Sequence, residues 1–87
     1  MMNVLGIEQI TKKDVPLYYR NDYEGLANLE FHHKHEQVRI AFSVEIKATG
    51  HREVKVRLLD AVDYPLMSVI RHLKHAIADM EKAGRLG

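Results

Sequence analysis

No cysteine and no tryptophan occur in this chain of 87 residues. Without cysteine there is no disulfide framework, no thiolate metal centre and no thiol nucleophile. The same absence accords with a reducing compartment. Aromatic residues make up only 7% of the chain, so the stacking platforms that hold single-stranded nucleic acid have little to draw on. Neither charge sign dominates: 13 Lys and Arg stand against 12 Asp and Glu, for a formal net charge of +1. A dedicated nucleic-acid binder is usually far more basic. No apolar run approaches the ~20 residues of a membrane helix. The stretch from Met1 to Ile10 lacks the basic start and apolar core of a secretory signal. The expectation is a cytoplasmic protein with no membrane partner.

Catalytic signatures are missing too. There is no phosphate-cradling glycine loop and no dinucleotide fingerprint. The two serines, Ser43 and Ser68, fall inside a strand pattern and a helix pattern, and neither lies in a nucleophile turn. The acids are plentiful, but no spacing singles out a pair. These absences point to a non-enzyme with no cofactor.

What the chain does have is one domain, residues 1–87, with 46% hydrophobic and 29% charged residues, an ordinary globular balance. A chain this short buries about 60–65% of its unfolded surface, so its core is small. Two apolar patterns dominate. Val38, Ile40, Phe42, Val44 and Ile46 alternate with Arg39, Ala41, Ser43 and Glu45, the period of a half-buried strand. Leu66, Val69, Ile70, Leu73, Ile77 and Met80 recur at helical spacing. Asp63 offers an N-cap, Pro65 suits the first turn, and Gly84 marks the end, with Lys82 placed for the helix dipole.

Shorter strands flank the central one. Val54, Val56 and Leu58 alternate across Arg52–Leu58, and Ala27, Leu29 and Phe31 alternate ahead of it. Like faces must oppose, because a slip of one residue inverts every side chain. Val44 with Val54, Phe42 with Val56 and Ile40 with Leu58 meets that demand, leaving the loop Ala48-Thr49-Gly50 with glycine where a positive φ is needed. Leu29 with Ile40 and Ala27 with Phe42 meets it for the earlier hairpin and sets Glu30 across from Arg39. Val4–Ile10 reads as a first strand. Thr11–Asp14 and Asn21-Asp22 read as turns, Pro16 as an edge position, and Leu17–Tyr19 as a short strand or extended loop. Tyr18, Tyr19 and Tyr23 read as rings that cap one end of the core. The predicted fold is α+β: a three- to four-stranded antiparallel meander with one long C-terminal helix packed on one face, a βββα-like outline.

Three groups of residues are candidate sites. His32, His33 and His35 lie close enough to converge on a metal ion, with Glu30 or Glu36 supplying an oxygen; the plainer reading is a solvated hairpin tip. His72 and His75 share one side of the helix among Arg71 and Lys74, which reads as a surface face. Arg39, Lys47, Lys55 and Arg57 project from the wet side of the sheet and could meet nucleic-acid phosphates, although Glu30, Glu45 and Glu53 share that side. Leu26, Ala41, Ser43 and Leu59 form a small, partly apolar patch on the same side that could seat another protein. Small domains often gain burial by pairing. The expected function is therefore a non-catalytic binding or adaptor module that contacts a protein partner, including a second copy as a homodimer. Nucleic-acid binding and histidine-based metal binding are the alternatives.

Overall fold

The computed structural model describes residues 1–14 and 18–86. Four strands, β1 (Asn3–Lys12), β2 (Arg20–Phe31), β3 (Lys34–Ile46) and β4 (Arg52–Leu58), precede one helix, α1 (Leu66–Lys82). The strands form a single antiparallel meander in the order β1-β2-β3-β4. The fold is α+β, as the two apolar periods predict. The readings at Val15, Pro16 and Leu17 fall outside the described residues.

The β3–β4 register is the predicted one: Val44 pairs with Val54, Phe42 with Val56 and Ile40 with Leu58. Gly50 has φ +86° and closes the turn by donating its N–H to the Lys47 carbonyl at 2.8 Å. A side chain there would meet the left-handed penalty that glycine avoids.

The β2–β3 register corrects the expectation. Ala27 pairs with Val38 and not with Phe42, Gly25 with Ile40, and Glu30 with His35 and not with Arg39. The displacement is four residues, an even number, so every side chain keeps its face. Face matching cannot detect such a slip; the turn decides it. His32 and His33 both take positive φ, 51° and 58°, and form a two-residue connection of the hairpin-favouring kind. The tighter turn lets β2 run through Asn21-Asp22, which pair with Val44 and Ser43 and do not turn. The long β3 supplies ladder partners that outweigh local turn preference. Thr11 and Lys12 likewise belong to β1, paired with Glu24 and Tyr23.

Strand β1 is irregular. Its register against β2 shifts between Val4 and Gly6 and again between Glu8 and Thr11, and Gln9 between the latter has φ 52°. The second irregularity leans Ile7 and Ile10 over Gly25, where an added methyl would come within 3.3 Å of both side chains and of the Glu8 carbonyl. Only glycine fits beneath that crossing without a neighbour giving way.

Helix α1 buries Val69, Leu73 and Ile77 in one core with Ala27, Leu29, Val38 and Ile40. It runs closest to the two outer strands, β4 and β1, so the twisted sheet wraps around it. Met2, which carries no periodic signal, is 1% exposed in the same core. Tyr23 also joins it, stacked on Phe42 at 5.0 Å between centroids, while Tyr18 is 97% exposed. The three tyrosines therefore do not form one cap. Two helix readings change as well. The N-cap is Pro65, without a side-chain capping bond, and not Asp63. Leu66, first in the apolar stripe, is exposed. The C-terminus closes as a Schellman turn, Arg85 N–H to the Met80 carbonyl at 2.9 Å and Gly84 N–H to the Glu81 carbonyl at 3.1 Å.

Candidate functional site: the outer sheet face and the β4 edge

The helix covers one face of the sheet. On the other, the ladder registers arrange side chains in rows across the strands. One row holds Glu8, Leu26, Arg39 and Leu59; the next Thr11, Glu24, Ala41 and Arg57; the next Asp22, Ser43 and Lys55, with Lys13 beside Asp22. The four predicted interface residues are thus brought together, with Leu26 and Leu59 on either side of Arg39 and Ala41 and Ser43 following along β3.

Ion pairs lace this face. Arg39 folds onto Asp60, with Nη2 2.7 Å from Oδ1 and Nε 3.1 Å from the same oxygen, and its backbone N–H reaches Oδ2 at 2.9 Å. That arrangement holds the Asp60 carboxyl below its ordinary pKa. Lys47 sits 2.6 Å from Glu45 and 3.2 Å from Glu53, and its hydrogen bonds lower both carboxyls. Lys13 does the same for Glu24 at 2.9 Å. Of the four predicted phosphate contacts, then, Arg39 and Lys47 are engaged within the chain. Lys55 approaches Glu53 only at 3.7 Å, and Arg57 makes no ion pair among the described residues.

Lys55 and Arg57 face two cations that sequence reasoning omitted, Lys13 and Arg20. All four line a shallow depression of about 300 Å³ whose floor includes Ala41 and Ser43. Lys13 and Arg20 carry no strand period that would have marked them; only the β1–β2 and β2–β3 registers bring them to this place.

The three histidines separate. His32 packs against Phe31 and Tyr64, at 5.7 and 5.8 Å between ring centroids. His33 is exposed in the turn. His35 Nε2 lies 3.0 Å from Glu30, whose carboxyl is lowered chiefly by that hydrogen bond. Among the described residues no group of three or more His, Asp or Glu could hold a metal ion. His72 turns back to the Ser68 carbonyl at 2.7 Å.

The sheet has two edges of different character. The β1 edge is interrupted by its irregularities, a common way to blunt an edge. Strand β4 pairs with β3 without a break from Arg52 to Leu58. Lys47 donates to His51 and Leu59 to Arg39, which fixes the alternation of the ladder. The backbone groups of Glu53, Lys55 and Arg57 therefore point to β3, and those of Arg52, Val54, Val56 and Leu58 point outward. Val54, Val56 and Leu58 are only half-buried, and a cleft of about 400 Å³ opens between β4 and α1, lined by Val54, Ala78 and Glu81 among others.

A family model matches residues 1–82, from ahead of β1 to the last residue of α1. The chain belongs to that family, whose name is a gene-locus designation and carries no activity. No curated protein and no solved structure matches it. The family match takes in all five elements of the fold, and with them both sheet edges and the outer face.

Proposed function

We propose that the protein is a non-catalytic binding module that pairs with a second copy of itself through the β4 edge. The observation that carries this reading is the unbroken run of outward backbone groups on β4, beside half-buried valines. Such an edge is a template for strand addition. Its outer-face charges are self-complementary. A two-fold axis at Val54 sets Glu53 of each copy across from Lys55 of the other, a favourable cross-strand pairing. The inward valines of the two copies then extend one apolar surface over the cleft beside α1. The patch of Leu26, Ala41, Ser43 and Leu59 supports pairing less well, because burying it strips water from the surrounding ion pairs.

Sedimentation equilibrium tests the reading. The unmodified chain is expected to show a dimer whose population rises with concentration. Val56→Pro removes one outward N–H without touching the β3–β4 ladder, and is expected to weaken that dimer at least tenfold while far-ultraviolet circular dichroism stays unchanged. A strict monomer for the unmodified chain overturns the proposal, as does a dimer that Val56→Pro leaves intact.

A further inference from the structure

We infer that the depression on the outer face of the sheet, between Lys13 and Arg20 on one side and Lys55 and Arg57 on the other, is a binding site for a phosphate-bearing ligand.

The depression follows from side-chain size. Ala41 and Ser43 lie in successive outward positions of β3, so the floor is low where the neighbouring strands carry long side chains. Strands β2 and β4 stand two ladder spacings apart, roughly 10 Å. Their cations therefore form opposed walls with room between them for a tetrahedral anion. The volume, about 300 Å³, admits more than the anion itself. The four cations lining it outnumber its one lining carboxylate, Asp22.

The two walls have different jobs. Glu24 holds Lys13 at 2.9 Å, and Asp22 holds Arg20 with Oδ1 3.1 Å from Nε. The Arg20 contact is made by charge alone at that atom: neither Nε nor Oδ1 has an aligned hydrogen bond. Arg20 is thus positioned but not saturated. Across the floor, Arg57 has no ion-pair partner among the described residues and Lys55 has only a distant one. A phosphate oxygen offers Arg57 the paired acceptor geometry that guanidinium favours, and the Ser43 hydroxyl adds a donor from the floor. A planar carboxylate presents oxygens to one wall only; a phosphate presents them to both. Phosphate is therefore the better match. No aromatic face is offered for base stacking beside the four cations, since Tyr23 and Phe42 are buried on each other in the core, so recognition rests on charge.

The site is separate from the outward backbone groups of β4, and Arg57→Gln and Ser43→Ala alter neither those groups nor the core. The test is a titration of the full chain, followed by amide chemical shifts, with three probes at low salt: inorganic pyrophosphate, a nucleoside monophosphate and a short single-stranded oligonucleotide. Saturable shifts centred on Ala41, Ser43 and Lys55 are expected with at least one probe. Arg57→Gln is expected to weaken binding at least tenfold and Ser43→Ala several-fold, with the remaining amide spectrum unchanged. Saturation by either small probe identifies a free phosphate compound as the ligand source. Saturation by the oligonucleotide alone identifies a nucleic-acid backbone, with affinity falling as salt rises. Absence of shifts at Ala41 and Ser43 with all three probes overturns the inference, as does binding that Arg57→Gln leaves undiminished.

Discussion

His32 and His33 hold a conformation that L-residues adopt at a cost of about 1–2 kcal/mol each. His32 recovers part of this by packing on Phe31 and Tyr64, whereas His33 is exposed. Replacing His33 with glycine removes the strain and adds about 0.5–1 kcal/mol of unfolded-state entropy. The net expectation for His33→Gly is a gain of roughly 0.5–1 kcal/mol, read as a melting temperature higher by a few degrees. Gly50→Ala, at φ +86°, is expected to lose about 1–2 kcal/mol in the same assay. The two opposite signs arise from one backbone region. Stability also depends on pH in a definite direction. Glu24, Glu30, Glu45, Glu53 and Asp60 all titrate below their ordinary values in the folded chain, each chiefly through a hydrogen bond to a neighbouring cation or histidine. Their contribution is present above the ordinary carboxylate range, near pH 4, and disappears as pH falls through the lowered folded values. All five are exposed, so the acid loss is shallow, and molar salt is expected to flatten it. Tyr23 is raised, mainly by burial, then by Glu81. Its contribution is present below the ordinary tyrosine value, about pH 10, and is lost as pH rises through the raised folded one. Urea titrations across pH check both limbs.

The helix stripe and the β3–β4 hairpin were legible in the sequence because each is signalled twice, once by apolar period and once by end or turn chemistry. Leu73, fully buried at the middle of α1, is the direct consequence. Leu73→Ala is expected to cost about 2–5 kcal/mol in chemical denaturation, the usual range for such a deletion. The β2–β3 hairpin carried only one legible signal. Alternation through Ala27, Leu29 and Phe31 specifies a face, and any even slip preserves it; His-His is not a recognised turn pair, so nothing in the sequence marked the turn as two residues long. The same loss of information hid the first half of β2, where Asn21-Asp22 has turn chemistry but strand partners. Strand β1 was found, but its irregularities arise from packing over Gly25, which no local pattern announces. A larger side chain at that glycine is expected to overpack the crossing: Gly25→Val should cost about 1–3 kcal/mol. The candidate sites fared similarly. Lys55 and Arg57 were visible as strand positions, and their opposing partners Lys13 and Arg20 became neighbours only through the ladders of β1 and β2.

The molecule as a whole joins a small core to a sheet that is covered on one face and open at one end of its strand order. The buried apolar residues are sealed by α1 from one side alone. Strand β1 ends the sheet with interrupted pairing; β4 ends it with none of that protection. A second copy at β4 would satisfy the outward backbone groups of Arg52, Val54 and Val56 and continue the sheet through the two-fold axis. It would leave the basic depression open, so pairing and anion capture are compatible in one assembly. Backbone amide exchange separates the edge from the ladder residue by residue. The N–H groups of Lys55 and Arg57 bond to β3 and are expected to be protected at every concentration. Those of Val54 and Val56 point outward, and self-pairing predicts that their protection rises with protein concentration and vanishes on dilution. Solvent-rate exchange of Val54 and Val56 at all concentrations would contradict it.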